Sequence, residues 1–120
     1  MKVLLACLLV SSVALADVDE VDNGKTHTVD CKKDGTVRVS GNSNTFTLEG
    51  TCDSVQVSGN KNTIKGDGAK QVMLSGNDNT IKLTSIDSVM VSGDRNTISY
   101  KKKKPTVADQ GKKNTVTPSK

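Results

Sequence analysis

The 120-residue chain has almost no aromatic side chains: one Phe, one Tyr and no Trp. A compact globule of this size would struggle to fill its centre without them. Proline occurs twice and histidine once. With His27 the only imidazole, no Ser/His/Asp constellation can be assembled around it, so an enzyme is not expected. The cysteines lack His or further Cys partners for zinc, and no calcium-binding coil motif occurs, so neither cofactor nor metal is expected. Apolar runs are confined to the start. Val3 to Val10 is too short to span a bilayer, and nothing later is apolar enough.

That start has the form of a secretory signal. Lys2 supplies the positive charge, Val3 to Val10 the apolar stretch, and Val13-Ala14-Leu15-Ala16 the small residues before a cut at Asp17. A secreted chain beginning at Asp17 is therefore expected. The alternative is a lipoprotein anchored at Cys7, since Leu4-Leu5-Ala6-Cys7 looks like a lipobox. Cleavage there would leave too short an apolar segment, which favours the cut after Ala16. The mature chain then keeps Cys31 and Cys52. An even count in an exported chain suggests a disulfide; the alternative is two buried free thiols.

Charge is unevenly laid out. Residues 17–22 are mostly acidic. Residues 17–100 carry nine Lys/Arg against twelve Asp/Glu, and residues 101–120 carry seven Lys against one Asp. The basicity begins with Lys101, Lys102, Lys103 and Lys104. Such a run is either a solvated end or a tether to a polyanion or anionic surface. No aromatic residue is interleaved to stack on bases, so specific nucleic-acid recognition is not expected.

What the chain does have is a repeat. Gly-x-x-Asn-Thr-(Val/Ile/Phe), with His27 replacing Asn in the first copy, returns at Gly24, Gly41, Gly59, Gly76, Gly93 and Gly111. A period of 17 or 18 residues is one coil of chain stacked on itself. Aligned on the glycines, Val37, Val55, Val72 and Val89 share a column, as do Val39, Val57, Leu74 and Val91. After the corner come Val29, Phe46, Ile64, Ile81, Ile98 and Val116, then Cys31, Leu48, Gly66, Leu83 and Tyr100. Spacing by two within each arm is strand alternation. Asp34, Cys52, Ala69 and Ile86 form a further inward column in the later coils.

The intervening residues point outward. Thr45, Thr63, Thr80 and Thr97 form a Thr ladder, and Lys65 and Lys82 share the next outward column. The repeat glycine is expected to supply a positive φ at the corner. Asn44, Asn62, Asn79 and Asn96 fall an even number of residues from the apolar column, on the inner side, and form an internal amide ladder; local turn bonding is the alternative. His27 would be a structural stand-in for one of these Asn.

The reading is an all-β, short parallel β-solenoid, right-handed by default, with roughly four well-formed coils and irregular terminal coils. The organisation is a signal peptide (1–16), an acidic segment (17–23), the solenoid (24–100) and a Lys-rich tail or degenerate last coil (101–120). Lys104 and Asp109 fall at inward positions, which marks the last coil as irregular.

The repeated Val-Ser-Gly-Asn-x-Asn-Thr-(Ile/Val), with Thr28-Val29-Asp30-Cys31 and Glu49-Gly50-Thr51-Cys52 at its start, resembles a family of small secreted or lipid-anchored bacterial proteins of unknown function. The likeness covers about seventy residues, from Thr28 to Ile98. It implies an exported β-solenoid and brings no activity. Function is then expected to lie in the surface: an extracellular binding or structural module. One alternative is an ice-binding protein using the Thr ladder, and another is binding of a polyanion or membrane surface through the Lys-rich tail. An extracellular polymer, an anionic surface and self-association are the partners considered.

Overall fold

The computed structural model describes residues 17–31 and 35–119. The signal reading of residues 1–16, with Cys7 and the cut after Ala16, lies outside them, as do Asp34 and Lys120. The strands are β1 (Asp17–Glu20), β2 (Thr26–Asp30), β3 (Thr36–Val39), β4 (Thr45–Val57), β5 (Thr63–Leu74), β6 (Thr80–Val91), β7 (Thr97–Tyr100), β8 (Thr106–Asp109) and β9 (Thr115–Pro118). Their pairings are parallel throughout. The result is an all-β solenoid of about five turns, 54 × 28 × 22 Å.

Alternation builds each arm. Val37, Val55, Val72 and Val89 pair in one register row, and Val39, Val57, Leu74 and Val91 in another. Phe46, Ile64, Ile81 and Ile98 form the row on the opposite arm, continued by the half-buried Val116. All but Val116 are buried, and each such side chain contributes about 1.5–3 kcal/mol by leaving water. A slim core of β-branched residues suffices because each rung needs to fill only its own cross-section. The aromatic shortage is thereby accommodated.

Coil length is 18 residues from Thr45 to Thr63, 17 from Thr63 to Thr80 and from Thr80 to Thr97, and 18 from Thr97 to Thr115, without disturbing these rows. The register between β4 and β5 shifts between Leu48 and Thr51, where Gly50 takes φ 86°. The extra residue is absorbed on the side between the two arms, as a bulge.

The first coil departs from the glycine alignment. Thr26 pairs with Thr45, His27 with Phe46 and Val29 with Leu48. The frame is two residues earlier than the Gly24 match implies, and Asp22 lies against Gly41 at the repeat-glycine position. Cys31 consequently follows the row of Glu49, to which its N–H donates at 2.7 Å, and does not lie beside Leu48. His27 is not a stand-in for Asn; Lys25 occupies that place, and the imidazole stacks on Phe46 at 5.2 Å.

Both ends of the ladder run past residues 24–100. β1 pairs with β3 through the acidic segment. Residues 106–109 pair with β6 and residues 115–118 with β7. Lys104 is exposed, and Pro105 is buried after it, because this coil has one extra residue before β8. Asp109 pairs with Val91 but is exposed at the end of the stack, where its carboxylate accepts from the Gly111 N–H and the Asn114 amide.

Candidate binding surface

The corners make the stack rigid. The repeat glycines from Gly41 onward do not carry the positive φ; Ser43, Lys61, Asp78, Arg95 and Lys113, two residues later, do, at 57–60°. Gly24 joins that left-handed column at 69°. The repeat glycine is required for a different reason. A Cβ on Gly59 would overlap the Gly41 carbonyl oxygen, and one on Gly76 the Gly59 carbonyl. The backbones of successive corners approach too closely for any side chain.

Two amide columns flank this contact. Asn44, Asn62, Asn79 and Asn96 are at most 1% exposed. The Oδ1 of Asn62 accepts from the Asn44 N–H at 2.9 Å, and its Nδ2 donates to the Gly41 carbonyl at 3.0 Å. Asn79 and Asn96 repeat both bonds one and two coils on. Each Asn thus serves the coil before it. A second column, outside, runs Asn23, Asn42, Asn60, Asn77, Asp94. Each side-chain oxygen accepts the N–H of the next coil at 2.7–2.9 Å. The sequence carries a signal for this column, since Asn or Asp follows each repeat glycine at Gly41, Gly59, Gly76 and Gly93.

Cys31 and Cys52 are joined by a disulfide, with Cα atoms 4.9 Å apart. Both are buried, so the bridge staples the first coil to the second and offers no reactive thiol. Among the described residues no group of three or more His, Cys, Asp or Glu is placed to hold a metal.

Three outward surfaces remain. On one, Thr45, Thr63, Thr80 and Thr97 pair in register; the first three are half-buried and Thr97 is exposed. The next outward row holds Thr47, Lys65, Lys82 and Ser99, so two cations interrupt the hydroxyls. On the other arm a shallow uncharged groove of about 260 Å³ runs over Gln56, Met73 and Met90, edged by Ser58, Ser75 and Ser92.

The third surface is the basic end. Lys101, Lys102, Lys103 and Lys104 are exposed but not adrift. The N–H groups of Lys101 and Lys102 both donate to the Thr84 carbonyl, at 3.1 and 2.9 Å. Lys103 approaches Asp87 at 3.9 Å. Lys112 and Lys113 are exposed on the same coil.

Most other cations that meet a carboxylate do so in a neighbouring coil. Lys70 faces Asp53 at 3.3 Å, and Arg38 faces Asp19 at 3.5 Å. Arg95 forks onto Asp78 with bonds of 2.9 and 3.2 Å. That hydrogen bond holds the Asp78 carboxyl below its ordinary value and raises Arg95.

The profile of a family described as a protein of unknown function, DUF3060, matches residues 39–85 and again 69–113. The chain belongs to this family. The two DUF3060 matches overlap over residues 69–85, about one coil, as a stacked repeat would make them. They take in the corners from Gly41 to Gly111, and the DUF3060 description carries no activity. No curated protein and no solved structure matches the chain.

Proposed function

We propose that the chain is an exported, non-enzymatic binding module whose basic end takes an anionic polymer outside the cell. The observation that carries this reading is the folding of the Lys run into the last coil. Lys101 and Lys102 are tied to Thr84, and the chain continues through buried Pro105 into a paired strand. Cations held on a rigid frame lose less freedom on binding than cations on a loose tail. The last coil sets six exposed Lys against the single Asp109. The absence of convergent acid, base and nucleophile in the sequence supports a role in binding over catalysis.

Export is tested by producing the full chain in a secreting host and measuring the mass of the released product. A mature chain starting at Asp17 is expected; retention of the first 16 residues would contradict it. Binding is tested with dextran sulfate at low and high salt. Affinity should fall steeply with salt, and replacing Lys101 to Lys104 with Gln should weaken it. Substitution is used because truncation at residue 100 would remove β8 and β9. A protein that stays free of dextran sulfate at low salt overturns the reading.

A second reading, ice binding, is favoured by the in-register Thr45, Thr63, Thr80 and Thr97. Against it stand Lys65 and Lys82 in the next row, whose long charged stems disturb a flat face. Thermal hysteresis decides it, and none is expected.

A further inference from the structure

We infer that one hollow on the basic end is a seat for a tetrahedral oxyanion, the sulfate or phosphate ester of the polymer; this rests on the polyanion reading above. The hollow is lined by Lys82, Lys101, Thr84, Ser99 and Ser119, over Gly66 and Leu83. Gly66 pairs with Leu48 on one side and Leu83 on the other. Both leucines are buried in the core, and Gly66 is held to glycine because at φ 145° a Cβ would meet the Leu48 backbone.

Among the described residues, the charge in this hollow has no carboxylate beside it, as is also so at Lys102, Lys104, Lys112 and Lys113 of the same end. Arg38, Lys70, Arg95 and Lys103 each meet a carboxylate. Lys82 and Lys101, which line the hollow, and Lys65, in register with Lys82, have no carboxylate within 4.0 Å among the described residues. Among the described residues no acidic residue lines it. Two lysines with the hydroxyls of Thr84 and Ser99 around a concavity match an anion with several acceptor oxygens, while the Ser119 hydroxyl donates to the Tyr100 carbonyl at 3.4 Å. The seat is also fixed: Lys101 is anchored on Thr84, and the Ser119 N–H donates to the Tyr100 carbonyl at 2.6 Å. A carboxylate polymer offers two oxygens per group and should fit it less well.

The test compares two double variants that remove equal charge from exposed positions: Lys82→Gln with Lys101→Gln, and Lys112→Gln with Lys113→Gln. Retention of fold is checked by circular dichroism. The first pair should lose roughly tenfold or more in affinity for dextran sulfate, and the second clearly less. Inorganic sulfate and inorganic phosphate, added separately, should shift the amide resonances of Thr84, Ser99 and Lys101 in the unaltered protein, and their relative effects tell the two ester types apart. Polyglutamate should bind more weakly and be insensitive to which pair is changed. Equal losses from both pairs, or no shift with either inorganic anion, overturn the seat while leaving a diffuse polyanion surface standing. Failure of the unaltered protein to bind dextran sulfate at low salt overturns both.

Discussion

At the level of single residues, the corner separates two demands that look alike in the sequence. Gly59 and Gly76 are needed for closeness, whereas Ser43, Lys61 and Asp78 take the left-handed backbone. Gly76→Ala should therefore destabilise by about 1–3 kcal/mol or more, read by urea unfolding, because a carbonyl oxygen cannot move aside. Gly24→Asn, with open space around it, should cost less than about 1 kcal/mol in the same measurement. The two-residue error in the first-coil frame has the same origin. Gly24 mimics the repeat glycine in spacing, while its backbone belongs to the column of Ser43. The pairing of His27 with Phe46 and the bond from Lys25 to Asn44 reveal this. At Asp78 the depressed carboxyl pKa adds stability that is present above the ordinary carboxylate value and lost as pH falls through the lower folded value. Asp78→Asn should differ from the unaltered protein more near neutrality than in acid, by thermal unfolding at a series of pH values.

At the level of strands and columns, the alternation of Val, Ile and Leu was enough to place both arms and their rows. Spacing by two has one solution when one side must be dry. It could not show the direction of the corner bonds, which depends on rise and tilt between coils. Nor could it show where an 18-residue coil hides its extra residue, because a bulge at Gly50 leaves the apolar count of each arm unchanged. The outward rows were legible as rows, but the hollow over Gly66 was not, since it arises from neighbours far apart in the chain. Asn79 illustrates the energetics. Asn79→Ala would strand the Asn62 N–H and the Gly59 carbonyl inside the stack. Each buried group left unmet costs about 1–3 kcal/mol, so the loss should be large. Asn114→Ala, half-exposed at the end, should cost visibly less by the same denaturant titration.

Taken whole, the molecule is a rod whose stability sums over neighbouring coils. Hydrogen exchange should be slowest in the middle rungs, from Thr63 to Val91, and fastest in β8 and β9, whose residues are largely exposed. Reducing the Cys31–Cys52 bridge should loosen β2 first and lower stability by about 2–4 kcal/mol. The ends carry opposite charge: residues 17–31 hold five acids against Lys25, and residues 101–119 hold six Lys against Asp109. That invites head-to-tail pairing, yet both amide columns end in lysine, the inner at Lys25 and the outer at Lys112. A second copy would meet Lys where a rung needs an amide. Light scattering should find single molecules at moderate salt; a size that grows as salt is lowered would show end-to-end association.

The one-way bonding of the inner asparagines has a consequence for how such a rod is laid down. The side chain of Asn62 completes the rung of Asn44, and that of Asn79 the rung of Asn62, while their backbone carbonyls wait for the Thr80 and Thr97 N–H groups of the coil that follows. A polypeptide delivered amino end first can finish its turns in order of arrival, each newcomer latching its predecessor. Inserting a whole extra turn between Gly59 and Gly76 would then lengthen the rod without asking any existing turn to change partners in kind.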